Sequence, residues 1–567
     1  TYAWPVAILG IAAGTAMLSA TVAATLQQSA SDQSGYEVGA DVRITPVDLK
    51  SGPRSKILRE VRGIAGVQYV SAGLRTTGDI RAGGQGTPLE LLAVEPVEFA
   101  RIGAFRGDYA SLPLGAHLVE LDEQTELPAL IVPGNAKRVG IRMRSGSIER
   151  NIRASLRLLD AEGLSFAVDL GAVTSLGWQV RMGWVPEVAS RPIEIVGMVF
   201  FELAPDELGT PARIEIDDIM YEPEIDGENA STAIVSAVVL ESFNEAGNWH
   251  PLASSRGIDT STTGFEYRRK TDYADVVDRG LRIDLGIGTD LGVRGIVRAG
   301  SGIIPALFSE SALVANDLLV GDETVVHAFG RSVPVEIVGS VEYFPTLDPV
   351  DGGFVVVDVA QLWRHLALSS ANSAGVAGEV FVGLDDADET AAFDRISTEV
   401  GGLRSFINRN ELRESSLVTP LAIAGWRGAS IVTGALAGAL ALLGFLTFVP
   451  NRPASGRFDM SVLRALGAGR PGLLVVTAVE QFVVLLAGLA AGTGAGMVMA
   501  RLAVDTASQT EIGVTVLPPI EFSTDWNYLI GLAGALVAIG IAVMIIDIVS
   551  VGRINVASSL RTTGKSG

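Results

Sequence analysis

The sequence has no cysteine and only four histidines among its 567 residues. The missing thiols exclude disulfides and thiolate metal sites. The histidines are scattered without a ligand-spaced pair or an HExxH motif, which argues against a catalytic metal site. Basic residues are also few, with 43 Lys+Arg against 64 Asp+Glu and a net charge of −21. A nucleic-acid binder needs a basic face for the phosphates, so we expect no nucleic-acid partner.

Catalytic motifs are missing as well. No G-x-S-x-G nucleophile elbow occurs, and the GKSG at the end of the chain has Ser559 where a phosphate loop needs glycine. Asp217 and Asp218 are compatible with calcium binding, but paired acids on a strand end are usually only solvated. We therefore predict no catalytic, cofactor-binding or metal-ligating residues, and no ATPase within this chain.

Four long stretches are nearly uncharged: Trp4–Leu26, Ala429–Phe448, Leu473–Ala500 and Leu529–Val551. Each reaches or exceeds the roughly 20 residues that cross a bilayer core. The first stretch is too long for a signal-peptide core and follows no basic segment. We interpret it as a transmembrane helix, and the chain, which lacks a starting Met, as a processed piece or the later part of a longer polypeptide.

The charges of the connecting segments predict the orientation. The loop after the second stretch carries Arg452, Arg457, Arg464 and Arg470 against one acid, and the tail after the fourth stretch is basic. By the positive-inside rule this loop and the tail are cytoplasmic, so residues 27–418 are extracytoplasmic.

Periodicity then divides the large outer region. Residues 27–114 read as strands with helices, and helical spacing of Ile57, Val61 and Ile64 is typical of this α/β character. From 115 to 222, eight short stretches from HLVEL to ARIEIDDIMY predict strands separated by turns, as in a β-sandwich. Residues 303–418 return to strands and helices, so the α/β unit is interrupted by β modules.

The predicted fold class is an α-helical four-span membrane domain plus a large extracytoplasmic α+β and all-β region with an inserted jelly-roll β-sandwich. The predicted parts are transmembrane helix 1 at 1–26, the α/β core domain at 27–114, the sandwich at 115–222, a β-rich insertion at 223–302, the rest of the core domain at 303–418, transmembrane helix 2 at 419–449, a cytoplasmic coupling segment at 450–472, transmembrane helix 3 at 473–500, an outer loop at 501–525, transmembrane helix 4 at 526–551 and a cytoplasmic tail at 552–567.

The predicted sandwich resembles carbohydrate-binding jelly rolls of the galactose-binding type, on LRLLDAEGLSFAVDLG through ARIEIDDIMYE. In such modules exposed aromatic side chains stack on sugar rings. The candidates here are Trp178, Trp184, Phe200 and Phe201. The alternative is that Trp178 and Trp184 are ordinary core or rim residues of the sandwich.

Small residues recur at intervals of four in the predicted spans. They are Gly10 and Gly14, Gly434 and Gly438, and Gly488, Gly492 and Gly496. Such ridges let helices approach closely in lipid. Two interpretations stay open: general packing of the spans, or an interface with another subunit.

The basic loop RFDMSVLRALGAGRPGLL reads as a helix that ends at Gly467 and Gly469. Its apolar face carries Phe458, Val462, Ala465 and Leu466, and its polar face carries Arg457, Ser461 and Arg464. It resembles the cytoplasmic coupling segment of FtsX-like/MacB-type ABC transporter permeases, where this helix docks on the ATPase. The resemblance implies these ATPase-coupling residues: Arg457, Phe458, Val462, Leu463, Arg464, Ala465, Leu466 and Gly467.

The resemblance extends to YEVGADVRI, AVEPVEFARIGAFRGDY and the segment after Gly302, which look like the family's MacB-like periplasmic core domain. It implies a non-catalytic permease subunit of the mechanotransmission type in the cytoplasmic membrane of a bacterium. Its partners would be an ABC ATPase dimer that binds ATP and Mg, a second permease bundle (a homodimer, or the other half of a longer chain) and an extracytoplasmic protein. The chain itself would hold no cofactor.

Two other functions stay open at this point. One is a membrane-anchored protein that binds or senses an extracellular glycan through the sandwich, with the spans as anchors only. The other is a cell-wall regulator that transports nothing. A shaped cytoplasmic helix favours the permease, because a pure anchor needs none.

Overall fold

The computed structural model divides the chain into two compact units, Thr1–Ser34 with Asn410–Gly567, and Gly35–Arg409. It describes residues 3–49, 56–82, 85–122, 129–146, 152–202, 212–224, 237–243, 249–254, 274–277, 280–286, 293–298, 303–350, 352–369, 377–385, 389–400, 404–415, 470–507 and 516–527, together with individual residues within 425–439 and 529–545.

The first unit is helical throughout its longest described segments. Helix α1 runs over Ala3–Val38, and a second long helix, numbered α9 here because α2–α8 precede it in the chain, runs over Arg470–Ala507. Pro471 lies in the first turn of α9, where its missing N–H leaves no intrahelical bond unmade. Within the described part of the chain, Gly10–Val38 and Phe482–Val504 are long and apolar enough to cross a membrane. The second and fourth predicted spans fall largely on residues outside the described part, so they stay predictions.

The second unit contains a nine-stranded sheet built from two distant parts of the chain. Its order is β17-β18-β16-β19-β3-β2-β20-β1-β21, and β17 also pairs with β2. The strands are β1 Val42–Asp48, β2 Val67–Ala82, β3 Gln85–Val94, β16 Ile304–Ser309, β17 Glu323–Ala328, β18 Arg331–Val341, β19 Phe354–Asp358, β20 Ala377–Leu384 and β21 Ser405–Asn408. Strands from both sides of the intervening β region therefore share one sheet.

Six short helices accompany this sheet, and a seventh follows its last strand in the chain. They are α2 Lys56–Arg62, α3 Pro96–Ile102, α4 Leu114–Asp122, α5 Glu310–Asn316, α6 Val359–Ser369, α7 Glu389–Glu399 and α8 Arg409–Ser415. The spacing of Ile57 and Val61 predicts α2, and both side chains are buried in the main core of the sheet. A second core packs Phe99 of α3 against Phe344 and Phe381.

The intervening region forms two six-stranded sheets around one apolar core. One sheet has the order β13-β14-β10-β5-β8 with β11 beside β10, and the other β12-β15-β9-β6-β7 with β4 beside β9. The strands are β4 Ile131–Val132, β5 Ala136–Ser145, β6 Ile152–Leu159, β7 Ser165–Val173, β8 Gln179–Trp184, β9 Ile193–Glu202, β10 Ala212–Pro223, β11 Val238–Glu241, β12 Trp249–Ser254, β13 Ala274–Val277, β14 Gly280–Gly286 and β15 Val293–Arg298. Inward side chains of both sheets, such as Ile141, Ile216 and Leu156, form the shared core. Assignment of this sandwich to the jelly-roll class stays a prediction.

Two features differ from the sequence-based expectations. HLVEL, predicted as the first strand, lies in helix α4, where Leu118 and Leu121 are buried at helical spacing. A five-residue apolar run fits either period, and here burial against the sheet of the core domain favours the helix. The sandwich also extends past residue 222, because β11–β15 complete its two sheets.

Helix α6 joins the nine-stranded sheet to the sandwich. Ala367 and Leu368 are fully buried against Val196 and Val199 of β9. The indole N–H of Trp363 donates to the carbonyl oxygen of Gly163, at 3.1 Å. The apolar contact and this buried hydrogen bond attach the sandwich firmly to the core domain.

Candidate functional site

The two long helices of the first unit touch through their glycines. A Cβ added at Gly14 would lie 3.0 Å from the carbonyl oxygen of Gly492, and one at Gly10 would lie 3.5 Å from that of Gly488. A Cβ on Gly492 or Gly496 would overlap the carbonyl oxygens of Gly10 and Gly14 respectively. The ridge of Gly10 and Gly14 therefore packs on the ridge of Gly488, Gly492 and Gly496 within one chain. Gly434 and Gly438 lie outside the described residues.

Substitution at this contact has a predictable cost. Gly492→Leu is expected to destabilise the helix pair by ~1–3 kcal/mol or more, because the side chain must push apart two backbones. The measurement is thermal unfolding of the detergent-solubilised chain. Gly472→Leu is the matched control, because Gly472 lies on the same helix and a Cβ there would meet no atom within 4 Å. Equal melting temperatures for the two variants would contradict the packing.

The last turn of α1 is fixed inside the second unit. Tyr36 is 5% exposed, and its hydroxyl donates to the carbonyl oxygen of Leu347 at 2.5 Å. Its ring meets that of Tyr109 edge-on, with centroids 5.6 Å apart, and its own carbonyl oxygen accepts from the amide of Thr346 at 2.7 Å. Gly39 then ends the helix at a φ of +84°, and a Cβ there would lie 2.7 Å from Cγ2 of Thr346.

The loop that receives Tyr36 is itself tied to the sheet. Arg75 of β2 donates to the carbonyl oxygen of Thr346 at 2.9 Å and to its hydroxyl at 2.5 Å. The same guanidinium forms ion pairs with Glu90 of β3 and Glu379 of β20, at 2.6 and 3.0 Å. One arginine thus connects the helix-end loop with three neighbouring strands.

A third tyrosine borders this junction. Tyr343 packs on Tyr109 with ring centroids 6.1 Å apart. Burial, followed by its hydrogen bond with Glu342, raises the pKa of Tyr343 to about 12. The phenol therefore stays neutral at physiological pH, and the junction does not titrate through this group near neutrality.

The candidate sugar-stacking residues are distributed between the surface and the core. Trp184 is 65% exposed and Trp178 is half-buried, whereas Phe200 is 2% exposed and belongs to the sandwich core. Phe200 was therefore wrong as a stacking candidate, because its strand turns it inward. Trp249, which no sequence feature marked, is the tryptophan buried in that core.

Arginines accompany both surface tryptophans. The Arg138 guanidinium lies 5.5 Å from the Trp184 ring centroid, and that of Arg144 lies 4.8 Å from the Trp178 centroid. Each arginine also pairs with an acid of β10, Arg138 with Glu222 at 3.0 Å and Arg144 with Glu215. Asp217, the calcium candidate, lies 3.3 Å from Arg142 and is balanced in the same way. The face combines exposed aromatic surface with paired charges.

The predicted coupling residues from Arg457 to Gly467 lie outside the described part of the chain, so their roles stay predictions. Conversely, sequence reasoning missed the Tyr36 junction. The sequence reading ended the first helix near residue 26 and took the segment with Tyr36 as a polar linker into a strand, whereas α1 continues to Val38. A tyrosine three residues before a glycine is too common a pattern to single out.

The comparisons with known proteins concern the C-terminal part of the chain. No curated protein matches this sequence. Residues 430–556 match the family model FtsX-like permease C-terminal, which covers the predicted coupling loop and the spans around it. Members of this family are non-catalytic membrane subunits that work with an ABC ATPase. Together with the apolar helices already described, the FtsX-like permease C-terminal domain at residues 430–556 supports an FtsX-like permease of an ABC transporter.

Proposed function

We propose that this permease couples ATP hydrolysis by its partner ATPase to movement of its 35–409 unit. The observation that carries the proposal is helix α1, which continues without a break from its apolar segment to Val38 and is fixed at Tyr36. A continuous helix keeps its length because each turn is hydrogen-bonded to the next. Displacement of α1 is therefore delivered at the loop containing Thr346 and Leu347.

The Arg75 network supports the next step of the proposal. Because Arg75 holds Thr346 and bridges Glu90 and Glu379, force on this loop reaches β2, β3 and β20 together. The buried contact of α6 with β9 then carries the sandwich along with the sheet. In this mechanism, of the mechanotransmission type, the outer unit moves as a body, and no substrate needs to pass between the spans.

The cytoplasmic side of the proposal rests on the family match and on the loop sequence. Residues Arg457–Gly467 dock on the ATPase, which binds ATP and Mg, and a second permease bundle completes the complex. The 35–409 unit lies outside the cytoplasmic membrane of a bacterium, where its movement drives export, lipoprotein release or regulation of a cell-wall enzyme. The proposed protein crosses the membrane four times, and its outer domain is of the MacB-like type.

Co-purification tests the proposal directly. Tagged full-length chain, extracted in mild detergent from cells of its own host, is expected to bring down a nucleotide-binding subunit in stoichiometric amount. Failure to recover any ATPase, while the chain itself remains folded by circular dichroism, would contradict the coupling mechanism.

A second candidate function, glycan recognition by the sandwich, is favoured by the exposed indole of Trp184. Aromatic faces stack on sugar rings, and the balanced charges around Trp184 suit a neutral ligand better than an anion. In this function the spans serve as an anchor, and the protein senses or captures an extracellular glycan.

The glycan function is tested with the full chain, because a fragment ending at residue 222 would lack β11–β15. If the function holds, an array read with purified protein detects at least one glycan, and Trp184→Ala lowers its affinity about tenfold, equivalent to ~1.4 kcal/mol. Trp526→Ala, which removes an indole 60% exposed in the other unit, serves as the control. If the wild-type protein binds no glycan on the array, the glycan function is contradicted and the sandwich serves as a structural scaffold.

A further inference from the structure

The helical unit contains a cavity of about 430 Å³ beside the glycine contact. Three helical elements line it: α1, α9 and the helical residues within 526–545, here called the C-terminal helical segment. The α9 residues Leu489, Thr493 and Met497 directly follow the ridge glycines Gly488, Gly492 and Gly496 in sequence. The lining therefore occupies the helix face next to the ridge, and it extends about 12 Å along α9 at 1.5 Å per residue.

The lining is apolar. The only nitrogen or oxygen atoms of the described lining side chains are the hydroxyl of Thr493 and the indole nitrogen of Trp526. The Thr493 hydroxyl already donates within its own helix, to the carbonyl oxygen of Leu489 at 2.8 Å. A stable internal water needs two to four polar partners. The described lining does not supply them, so the cavity suits hydrocarbon and not water or a charged headgroup.

The exposed lining of the cavity lies on α9, at Ala490 and Gly494, and on the C-terminal helical segment. Trp526 is 60% exposed and Ile530 is 68% exposed, while Met17 of α1 on the opposite wall is buried. An occupant therefore enters between α9 and the C-terminal helical segment and reaches the buried wall formed by α1. The volume exceeds that of one side chain and lies within the range of small-molecule sites.

Polar contacts mark one end of the helices near this opening. The Thr25 hydroxyl donates to the carbonyl oxygen of Ser523 at 2.9 Å, and the Ser523 amide lies 3.2 Å from the same hydroxyl. The guanidinium of Arg501 stacks on Phe522, 5.5 Å from its ring centroid. Trp526 follows three residues after Ser523, and its amphipathic ring suits the boundary between headgroups and hydrocarbon. The cavity thus begins at the polar boundary and extends into the apolar zone.

We propose that this cavity binds one acyl chain of a membrane phospholipid, which enters beside Trp526 and Ile530 with its headgroup at the Thr25–Ser523 level. Lipid chains surround any helix that crosses a bilayer, and an empty cavity of this size would forfeit dispersion contacts on every wall. An acyl chain supplies those contacts without requiring a polar partner inside. The inference concerns the helices alone and does not depend on coupling to an ATPase.

Gly494→Leu tests the site by filling it. Gly494 lines the cavity, and a Cβ there meets no atom within 4 Å, so a leucine side chain fits without displacing the backbone. The full chain is placed in nanodiscs containing a phospholipid with a nitroxide near the end of one acyl chain. Electron paramagnetic resonance then measures the number of motionally restricted lipids per chain. We expect Gly494→Leu to lose one restricted lipid.

Gly534→Leu is the matched control, because its Cβ also meets no atom within 4 Å and it does not line the cavity. It is expected to keep the wild-type number of restricted lipids. Ala490→Phe fills the same cavity from a neighbouring position and replaces Gly494→Leu if that variant does not fold. Equal restricted fractions in wild type and both filled variants would overturn the proposal. A change in oligomeric mass without a change in lipid restriction would likewise overturn it, in favour of a second copy in the cavity.

Discussion

Aspartate at both Leu463 and Leu466 is expected to abolish co-purification of the chain with its ATPase. In the proposed coupling helix these two leucines are among the residues that dock on the ATPase. A carboxylate buried there without a partner costs several kcal/mol, and ~3 kcal/mol already lowers affinity more than a hundredfold. The measurement is the amount of nucleotide-binding subunit recovered per mole of tagged permease.

The matched control is Ser461→Asp, which adds an acid on the polar face of the same predicted helix. It is expected to change recovery of the ATPase by much less than the double variant. Membrane extraction and circular dichroism of each variant establish that the spans are still inserted. Unchanged recovery with the double variant would refute the docking role of the Phe458–Gly467 segment, whatever the outer unit does.

Tyr36→Ala is expected to have the largest effect in the outer unit. It removes a buried ring packed on Tyr109 and the hydrogen bond to Leu347. Truncation of a buried aromatic side chain costs about 3–5 kcal/mol, because a cavity replaces it. Hydrogen exchange at the Thr346 amide, which donates to the carbonyl oxygen of Tyr36, is therefore expected to accelerate about a hundredfold or more.

Two control variants separate the contribution of the Tyr36 ring from that of its hydroxyl, and both from the effect of removing any tyrosine side chain. Tyr36→Phe keeps the ring and loses one hydrogen bond, worth ~1 kcal/mol, so its exchange is expected to rise only several-fold. Tyr69→Ala removes a tyrosine that is 37% exposed and is expected to leave the Thr346 amide protected. If movement passes through α1, Tyr36→Ala keeps the ATPase bound but no longer transmits its cycle to the outer unit. Full protection of Thr346 in Tyr36→Ala would exclude the junction as a rigid connection.

Local sequence patterns predicted many of the individual elements. The alternation in KRVGIRMR and RASLRLLD predicts strands, and the structure has β5 and β6 there. Helical spacing predicts α2 in the same way. In each case the residues that face the core recur at the period of the element, so the local pattern is enough to predict a strand or a helix.

Elements whose partners are distant in sequence were harder to assign. Residues 223–302 read as a separate β-rich insertion, yet Ile214 of β10 pairs with Ile283 of β14 and brings part of that insertion into the sandwich. The sequence of a short strand does not specify which strand of which sheet it will pair with. Helix α4 was missed because its five-residue apolar run is compatible with either period, and packing on the core domain decided between them.

The sequence by itself determined that apolar helices long enough to cross a membrane exist, that small residues recur along them, and that Phe458–Gly467 has the family's pattern, which the match over residues 430–556 supports. These properties are local, since length, composition and spacing are present in the chain before it folds. Tertiary structure alone decided that Gly492 meets Gly10, that Tyr36 inserts beside Tyr109 and Leu347, and that a cavity remains between three helical elements. Each of these contacts joins residues that are tens to hundreds of positions apart in the sequence. Which of them meet depends on the packing of the whole fold and not on the local sequence.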